Sequence, residues 1–203
     1  MPSLDPLVYP REYFSKVDPL SQGALLFLGY FVATILLFMV TLQLLLSRIE
    51  NAPTGLTGQV FGQLLGVIFF TFIIMLIAWI VVAAVMHFVG GASGDGSFED
   101  ALGLAGFAYA PELLTMPIGM AFIWLETRDL RFDGSDPAEM ARQVDELQAH
   151  AFGPGLLLTL LVTVWSVFIL ARGIQGTHDA DSQSAWTAAL IVGIGSILLT
   201  LLG

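Results

Sequence analysis

The chain has 203 residues, of which 56% are hydrophobic and only 12% are charged, and its formal net charge is −10. A soluble domain carries about 25% charged residues, so this composition excludes a disordered chain and argues against a water-soluble globule. Seven Lys and Arg residues against 17 Asp and Glu residues also argue against binding to nucleic acid, which needs clustered positive charge.

The N-terminal segment, residues 1–22, is predicted to lie at a membrane surface. Between residues 9 and 20, aromatic and aliphatic side chains recur at helical spacing, and the charged side chains occupy the other face. Tyr and Phe rings favour the headgroup region of a bilayer. We therefore expect an amphipathic interfacial helix that stays attached, because the first apolar run does not end in a small-residue cleavage site.

Residues 23–203 form the predicted transmembrane domain. Crossing the hydrocarbon takes about 20 apolar residues in a helix, and lipid offers no partner to unpaired backbone groups. The uncharged runs lack the period-two alternation of a membrane barrel and accommodate five helices. The expected fold is an all-α membrane protein, a bundle of five transmembrane helices with short interfacial amphipathic helices. The spans are predicted at about 23–46, 62–88, 101–125, 155–171 and 185–202.

A glycine-rich turn separates the second and third spans. It lacks the lysine of a phosphate-binding loop, and Asp95, Glu99 and Asp100 would repel a phosphate, so we expect no nucleotide. Ser97 and Asp100 have the spacing of a helix capping box. His87 ends the second span beside this turn, so the alternative interpretation is that it binds a cation together with the three acids.

Glu112 is the most unusual residue of the predicted spans. It lies twelve residues after Asp100, about 18 Å along a helix and near the middle of the hydrocarbon. An ionised carboxylate there is costly, so we expect it to be neutral, paired or beside water. Pro111 and Pro117 cannot donate hydrogen bonds to the preceding turn, which predicts a kink. Glu112 then either serves a proton or cation pathway or, protonated, donates to a freed carbonyl and fixes the kink.

Two further patterns concern packing. Asp136, Pro137 and Glu139 have the pattern of a helix start, which predicts a second surface helix over residues 137–151, either solvated or docked on a partner. Small residues spaced by four predict close contact between helices, within the chain or in a homo-oligomer. They are Gly58, Gly62 and Gly66 in the second span and Ala185, Ala189 and Gly193 in the fifth.

The polar side chains form no catalytic pattern. The sequence has no Ser-His-Asp set and no His-Glu-x-x-His, and its three histidines are His87, His150 and His178, each near the edge of a loop. We expect no enzymatic activity, no cofactor and no metal. The positive residues divide almost evenly between the two sides of the membrane, and Arg11 and Lys16 before the first span favour a cytoplasmic N-terminus.

Four segments carry a family likeness. They are the N-terminal Pro-Arg-Glu-Tyr-Phe, residues 96–102, the run Gly-Phe-Ala-Tyr-Ala-Pro at 106–111, and residues 165–185 with His178. Together they resemble the Yip (Ypt/Rab-interacting protein) family in its prokaryotic form, and the likeness covers about residues 10–202. The resemblance implies a five-helix protein of the cell membrane with a cytoplasmic N-terminus. For eukaryotic relatives it implies binding of Rab-type GTPases and a role in membrane traffic, but their Asp-Leu-Tyr-Gly-Pro motif is absent here.

The function expected on these grounds is that of a non-enzymatic multi-pass membrane protein. Its contacts would be the lipid bilayer and a protein partner or a second copy of the chain, and it would act through that partner or by organising the membrane. The rival is a small transporter or a proton or cation pathway centred on Glu112.

Overall fold

The computed structural model describes residues 5–51, 55–129, 131–133 and 137–202. The elements in chain order are α1 (Asp5–Val8), α2 (Pro10–Phe14), α3 (Leu20–Leu46), β1 (Ile49–Glu50), α4 (Leu56–Val85), a π-helical turn (Met86–Gly90), α5 (Phe98–Phe107), α6 (Ala110–Thr127), β2 (Phe132–Asp133), α7 (Pro137–Thr177) and α8 (Ser182–Leu202).

Five helical stretches in the described part of the chain are long and apolar enough to cross a membrane. The prediction of an all-α, five-span membrane protein is therefore confirmed. The stretches are Leu20–Leu46, Phe61–Gly90, Phe98–Thr127, Gly155–Thr177 and Ser182–Leu201.

The loops at one end of the bundle are joined by a short parallel strand pair. β1 aligns with β2, and the amide of Phe132 donates to the carbonyl of Arg48 at 3.0 Å. The pair links the loop after the first span to the loop after the third.

The predicted surface helix over residues 137–151 is not a separate element. The backbone continues in one 41-residue helix, α7, which includes the fourth span. Pro154 and its glycine neighbours lie inside this continuous helix, so the hydrogen bond that the proline withholds does not end α7. Asp136, the expected N-cap, and the side chain of His150 lie outside the described residues.

The N-terminal segment also differs from the single helix expected over residues 9–20. It forms the short helices α1 and α2, and Leu20 begins the first span. The indole N–H of Trp165 donates to the carbonyl of Leu7 at 3.1 Å, whereas Gly176 lies against Arg11 and Ser15. The eleven residues from Trp165 to Gly176 rise about 16 Å, so the segment follows α7 toward the bilayer interior.

The buried core lies at the end of the bundle where α3 and α5 begin and α7 ends. One cluster centres on Leu104, Leu170 and Ile174, against which Phe14 of α2 packs at 3% exposure. A second cluster stacks Phe27 on Trp79, with ring centroids 4.4 Å apart. Much of the remaining large apolar surface is exposed, as expected where lipid is the solvent.

Glycines allow α3 and α5 to touch through their backbones. A Cβ on Gly23 would overlap the carbonyl oxygen of Gly103, and one on Gly106 would overlap that of Gly23. No residue with a side chain fits at this crossing without moving a helix, because the clashing atoms are backbone.

The two predicted small-residue seams have different surroundings. Ala185 and Ala189 are fully buried, and a Cβ on Gly193 would meet the side chains of Val167 and Thr163 on α7. This seam therefore packs within the chain. Gly58, Gly62 and Gly66 of α4 have no heavy atom within 4 Å of the Cβ position, so that seam is open to the membrane.

Candidate functional site

Glu112 lies halfway along the 30-residue span Phe98–Thr127. This span is interrupted: α5 ends at Phe107, and α6 begins at Ala110 with Pro111 in its first turn. Pro111 has no N–H to donate to the carbonyl of Phe107, so the helical ladder stops there. The interruption lies where the kink was predicted, and it gives Glu112 a place in the first turn of a new helix.

The chain compensates for the interruption with a side chain from α7. The hydroxyl of Ser166 donates to the carbonyl of Ala108 at 2.7 Å. One turn after the break, the hydroxyl of Thr115 lies 3.1 Å from the carbonyls of Pro111 and Glu112. Lipid offers no donors, so the Ser166 hydroxyl gives a partner to a backbone carbonyl at the interruption. The Thr115 contacts are the bonds that a threonine hydroxyl often makes to the preceding turn of its own helix.

Two tyrosines lie close enough to the Glu112 carboxyl to interact with it electrostatically. They are Tyr30 on α3 and Tyr109 just before α6. The rings of Tyr30 and Tyr109 stack with centroids 4.8 Å apart. Glu112 keeps an exposed surface toward the membrane although many protein atoms surround its carboxyl. The carboxyl is thus part of a polar group at mid-membrane depth that sequence spacing did not reveal.

Pro117 lies in the interior of α6, five residues beyond Glu112. It is exposed, and it withholds a hydrogen bond from the carbonyl of Leu113. α6 nevertheless continues unbroken to Thr127. Pro111, not Pro117, therefore interrupts the third span.

The predicted capping box at the start of α5 is confirmed. The hydroxyl of Ser97 accepts from the amide of Asp100 at 3.2 Å, and the Asp100 carboxylate accepts from the amide of Ser97 at 2.9 Å. Asp100 and Glu99 lie in the first helical turn, where negative charge complements the helix dipole. Both acids thus have a local structural role.

The proposed cation group of His87 with the three acids is not assembled. No group of three or more metal-ligating side chains occurs among the described residues. Asp95 and Glu99 are exposed, and the Asp100 carboxylate is bound to Ser97. The His87 imidazole instead has a hydrogen-bonding partner from a distant part of the chain.

That side chain is His178, which lies 91 residues later. Nδ1 of His87 and Nε2 of His178 are 3.1 Å apart, and Nδ1 of His178 lies 2.8 Å from the Thr177 hydroxyl. His87 belongs to the π-helical turn Met86–Gly90, and His178 follows the last residue of α7. π-helical turns often occur at functional positions. The sequence indicates that both histidines lie at loop edges but contains no pattern that pairs them.

Three glycines of the turn between the second and third spans enclose His178. A Cβ on Gly91 or Gly96 would overlap the imidazole ring, and one on Gly94 would overlap the carbonyl oxygen of His178. The residue is 1% exposed. Burial, followed by the proximity of His87, lowers the pKa of His178, while Asp100 acts in the opposite sense. The glycine content of this turn was the one signal in the sequence for such a close approach.

Hydrogen bonds hold the same turn to the connection between α7 and α8. The amide of Asp95 donates to the carbonyl of His178 at 3.1 Å, and the hydroxyl of Ser93 donates to the Asp181 carboxylate at 2.8 Å. Asp181 also accepts from the amides of Gln183 and Ser184 and so caps α8. The hydroxyls of Ser184 and Ser93 and these amides hold the pKa of Asp181 well below its usual range.

Comparison with known proteins gives one match. The family model described as Yip1 domain matches residues 4–202 of the chain. Neither the curated proteins nor the solved structures contain a match.

Proposed function

Because the chain belongs to the Yip1 domain family, we propose that it is a non-enzymatic membrane protein that acts through protein partners or by organising the membrane. The observation that carries this proposal is the family match over residues 4–202 together with five apolar spans. We call the end of the bundle that holds the buried core, where α3 and α5 begin and α7 ends, the packed end. The residues that resemble the family lie largely there, which supports a role for the packed end in binding a partner.

The packed end also offers a polar surface for a partner. The segment before α3, the turn before α5 and the α7–α8 connection lie side by side there, held by the bonds from Trp165 to Leu7 and from Asp95 to His178. Its exposed charged residues are mainly acids, namely Glu12, Asp18, Asp95, Glu99, Asp179 and Asp181. A negative surface favours a partner with a basic face.

Site-specific crosslinking in native membranes tests this proposal. A photoreactive residue at Glu99 is expected to capture a protein that one at Leu65, exposed on the lipid-facing side of α4, does not capture. The charge-reversing change Asp95→Lys should reduce the yield, whereas Asp129→Lys at the other end should not. Equal capture from both positions, unaffected by Asp95→Lys, would refute the proposal for this surface.

A second copy of the chain is another partner that one observation favours. The Gly58, Gly62 and Gly66 seam of α4 is open, and such seams allow close helix contact in membranes. Gly62→Leu should then lower the oligomer fraction in detergent, and Gly29→Leu, at an equally open position on α3, should leave it unchanged. A monomer in mild detergent before any substitution rules this partner out.

A proton or cation pathway centred on Glu112 is the second candidate function. The interaction of its carboxyl with Tyr30 and the stacked Tyr109 favours it, because a chain of polar groups is what an ion path needs. Proteoliposomes with an internal pH-sensitive dye test it. Flux should disappear in Glu112→Gln, fall in Tyr30→Phe and persist in Glu99→Gln. Absence of flux in the unmodified protein would refute it.

We also propose a cytoplasmic N-terminus, supported by Arg11 and Lys16 before the first span. The chain has no cysteine, so a single introduced thiol reports one position. With a membrane-impermeant maleimide on intact cells, Asp129→Cys should be labelled and Asp179→Cys should not. The reverse pattern overturns this orientation.

A further inference from the structure

We propose that His87 and His178 form a shared proton-binding site that acts as a pH-sensitive latch between the second span and the α7–α8 connection. This inference goes beyond the proposed function and does not depend on any partner or on ion flux. It rests on the 3.1 Å contact of the two imidazoles, on the burial of His178 and on the turn that encloses it.

The contact has different consequences for each protonation state of the pair. In the neutral pair, one imidazole N–H donates to the unprotonated nitrogen of the other ring. One added proton converts this into a charge-assisted bond, with the Thr177 hydroxyl accepting from the far nitrogen of His178 at 2.8 Å. A second proton places two N–H groups against each other at 3.1 Å, where both donate and neither accepts. The doubly protonated pair therefore cannot keep this geometry.

The surroundings of His178 prevent its ring from adjusting to a second proton. Gly91 and Gly96 lie against the His178 ring so closely that a Cβ would overlap it. On the other side, the ring of Phe98 meets His87 edge-on with centroids 5.8 Å apart. A buried ring between such neighbours has no room to turn away and too little water to spread its charge.

The charged groups around the pair come from three elements. From α5, Asp100 faces His178 but is bound to Ser97 in the capping box. From the turn, Asp95 contacts His178 through its amide and not through its carboxylate. From the start of α8, the Asp181 carboxylate is bound to Ser93 and Ser184. The carboxylates of Asp100 and Asp181 thus have other partners and that of Asp95 is exposed, so a second added charge on the pair is poorly compensated.

The expected result of a second proton is local opening. The turn before α5 then loses the His178 contacts, namely the ring packing of its glycines and the bond from the Asp95 amide to the His178 carbonyl. The bond between Ser93 and Asp181 remains as a tether. Because this turn carries exposed acids of the packed end, opening would change the surface that the protein presents on that side.

Histidine titration by NMR of the full-length, ¹⁵N-labelled protein in micelles tests the shared site. His87 and His178 should take up protons in coupled steps separated by more than about one pH unit. In His87→Gln, His178 should titrate in a single step. Independent titration of His87 and His178, with the His178 curve unchanged in His87→Gln, would overturn the proposal.

Hydrogen exchange of the amides of residues 91–96 tests the latch. After correction for intrinsic rates, exchange should rise by up to about tenfold for each unit by which the pH falls, over the range in which opening takes up the second proton. His87→Gln should abolish this rise, because a Gln amide either donates to or accepts from His178. His150→Gln is the matched control, since the backbone of residue 150 lies 28 residues before His178, about 42 Å along a helix. Acid-induced opening that persists in His87→Gln refutes the latch.

Discussion

Replacing Gly103 by alanine should destabilise the protein by forcing α3 and α5 apart. An added Cβ would lie 2.5 Å from the amide nitrogen of Leu20 and 2.5 Å from the carbonyl carbon of Pro19, whereas an ordinary contact is 3.4–4 Å. Both are backbone atoms, so relief requires movement of a helix. Overpacking of this kind costs about 1–3 kcal/mol, and alanine returns about 0.5–1 kcal/mol of helix propensity. The net loss is therefore between about 0 and 2.5 kcal/mol.

Gly119 of α6, in the same span, supplies the matched control. Its Cβ position has no neighbour within 4 Å, so Gly119→Ala keeps the propensity gain without the clash. Thermal unfolding in detergent, followed by circular dichroism, should show Gly103→Ala melting below the unmodified protein by up to about 10 °C, at about 2–4 °C per kcal/mol. Gly119→Ala should melt at the same temperature or slightly higher. Equal melting temperatures for Gly103→Ala and Gly119→Ala would refute the argument that α3 and α5 touch through their backbones.

Three other predictions follow from the bonds of the packed end. Trp165→Phe removes the donor to the Leu7 carbonyl and should cost about 0.5–1.5 kcal/mol, seen as faster proteolysis of the N-terminal segment while the spans stay protected. Ser97→Ala removes the N-cap of α5 and should cost about 0.5–2 kcal/mol in thermal unfolding, and a melting temperature unchanged from the unmodified protein would contradict it. The lowered pKa of His178 means that the unfolded chain binds its proton more readily. The contribution of His178 to stability is therefore complete above about pH 6.5 and declines as the pH falls through the lower folded value, a step that should be missing from the melting profile of His178→Gln.

The spans and the capping box were predictable because both are encoded locally. A helix that crosses lipid needs an uninterrupted apolar run, and the lengths of these runs determined the five-helix fold. Ser97 and Asp100 are three residues apart, so their reciprocal bonds depend only on the helix that they begin. A kink near Pro111 and Pro117 was likewise predictable from their missing N–H groups, but the break occurs only at Pro111, because α6 and α7 continue through Pro117 and Pro154.

The partners of these residues were not predictable because they come from distant parts of the chain. Ser166 reaches the carbonyl of Ala108 from α7, and Tyr30 reaches Glu112 from α3. His87 and His178 meet only because the glycine-rich turn lets α7 end beside the second span. No periodicity relates residues separated by 91 positions, so such pairs emerge only from the packing of the helices.

The bond between Trp165 and Leu7 constrains the order in which the molecule is built. The two residues are 158 positions apart, so the ribosome has to complete most of the chain before the indole N–H exists to donate to the Leu7 carbonyl. Until then α1 and α2 lack their contacts with α7, and Phe14 has Phe107 of the third span as a partner but not the side chains of α7. Release of the fourth span into lipid supplies the surface of α7 that α1 and α2 contact. Docking of the N-terminal segment is therefore a late step of biogenesis.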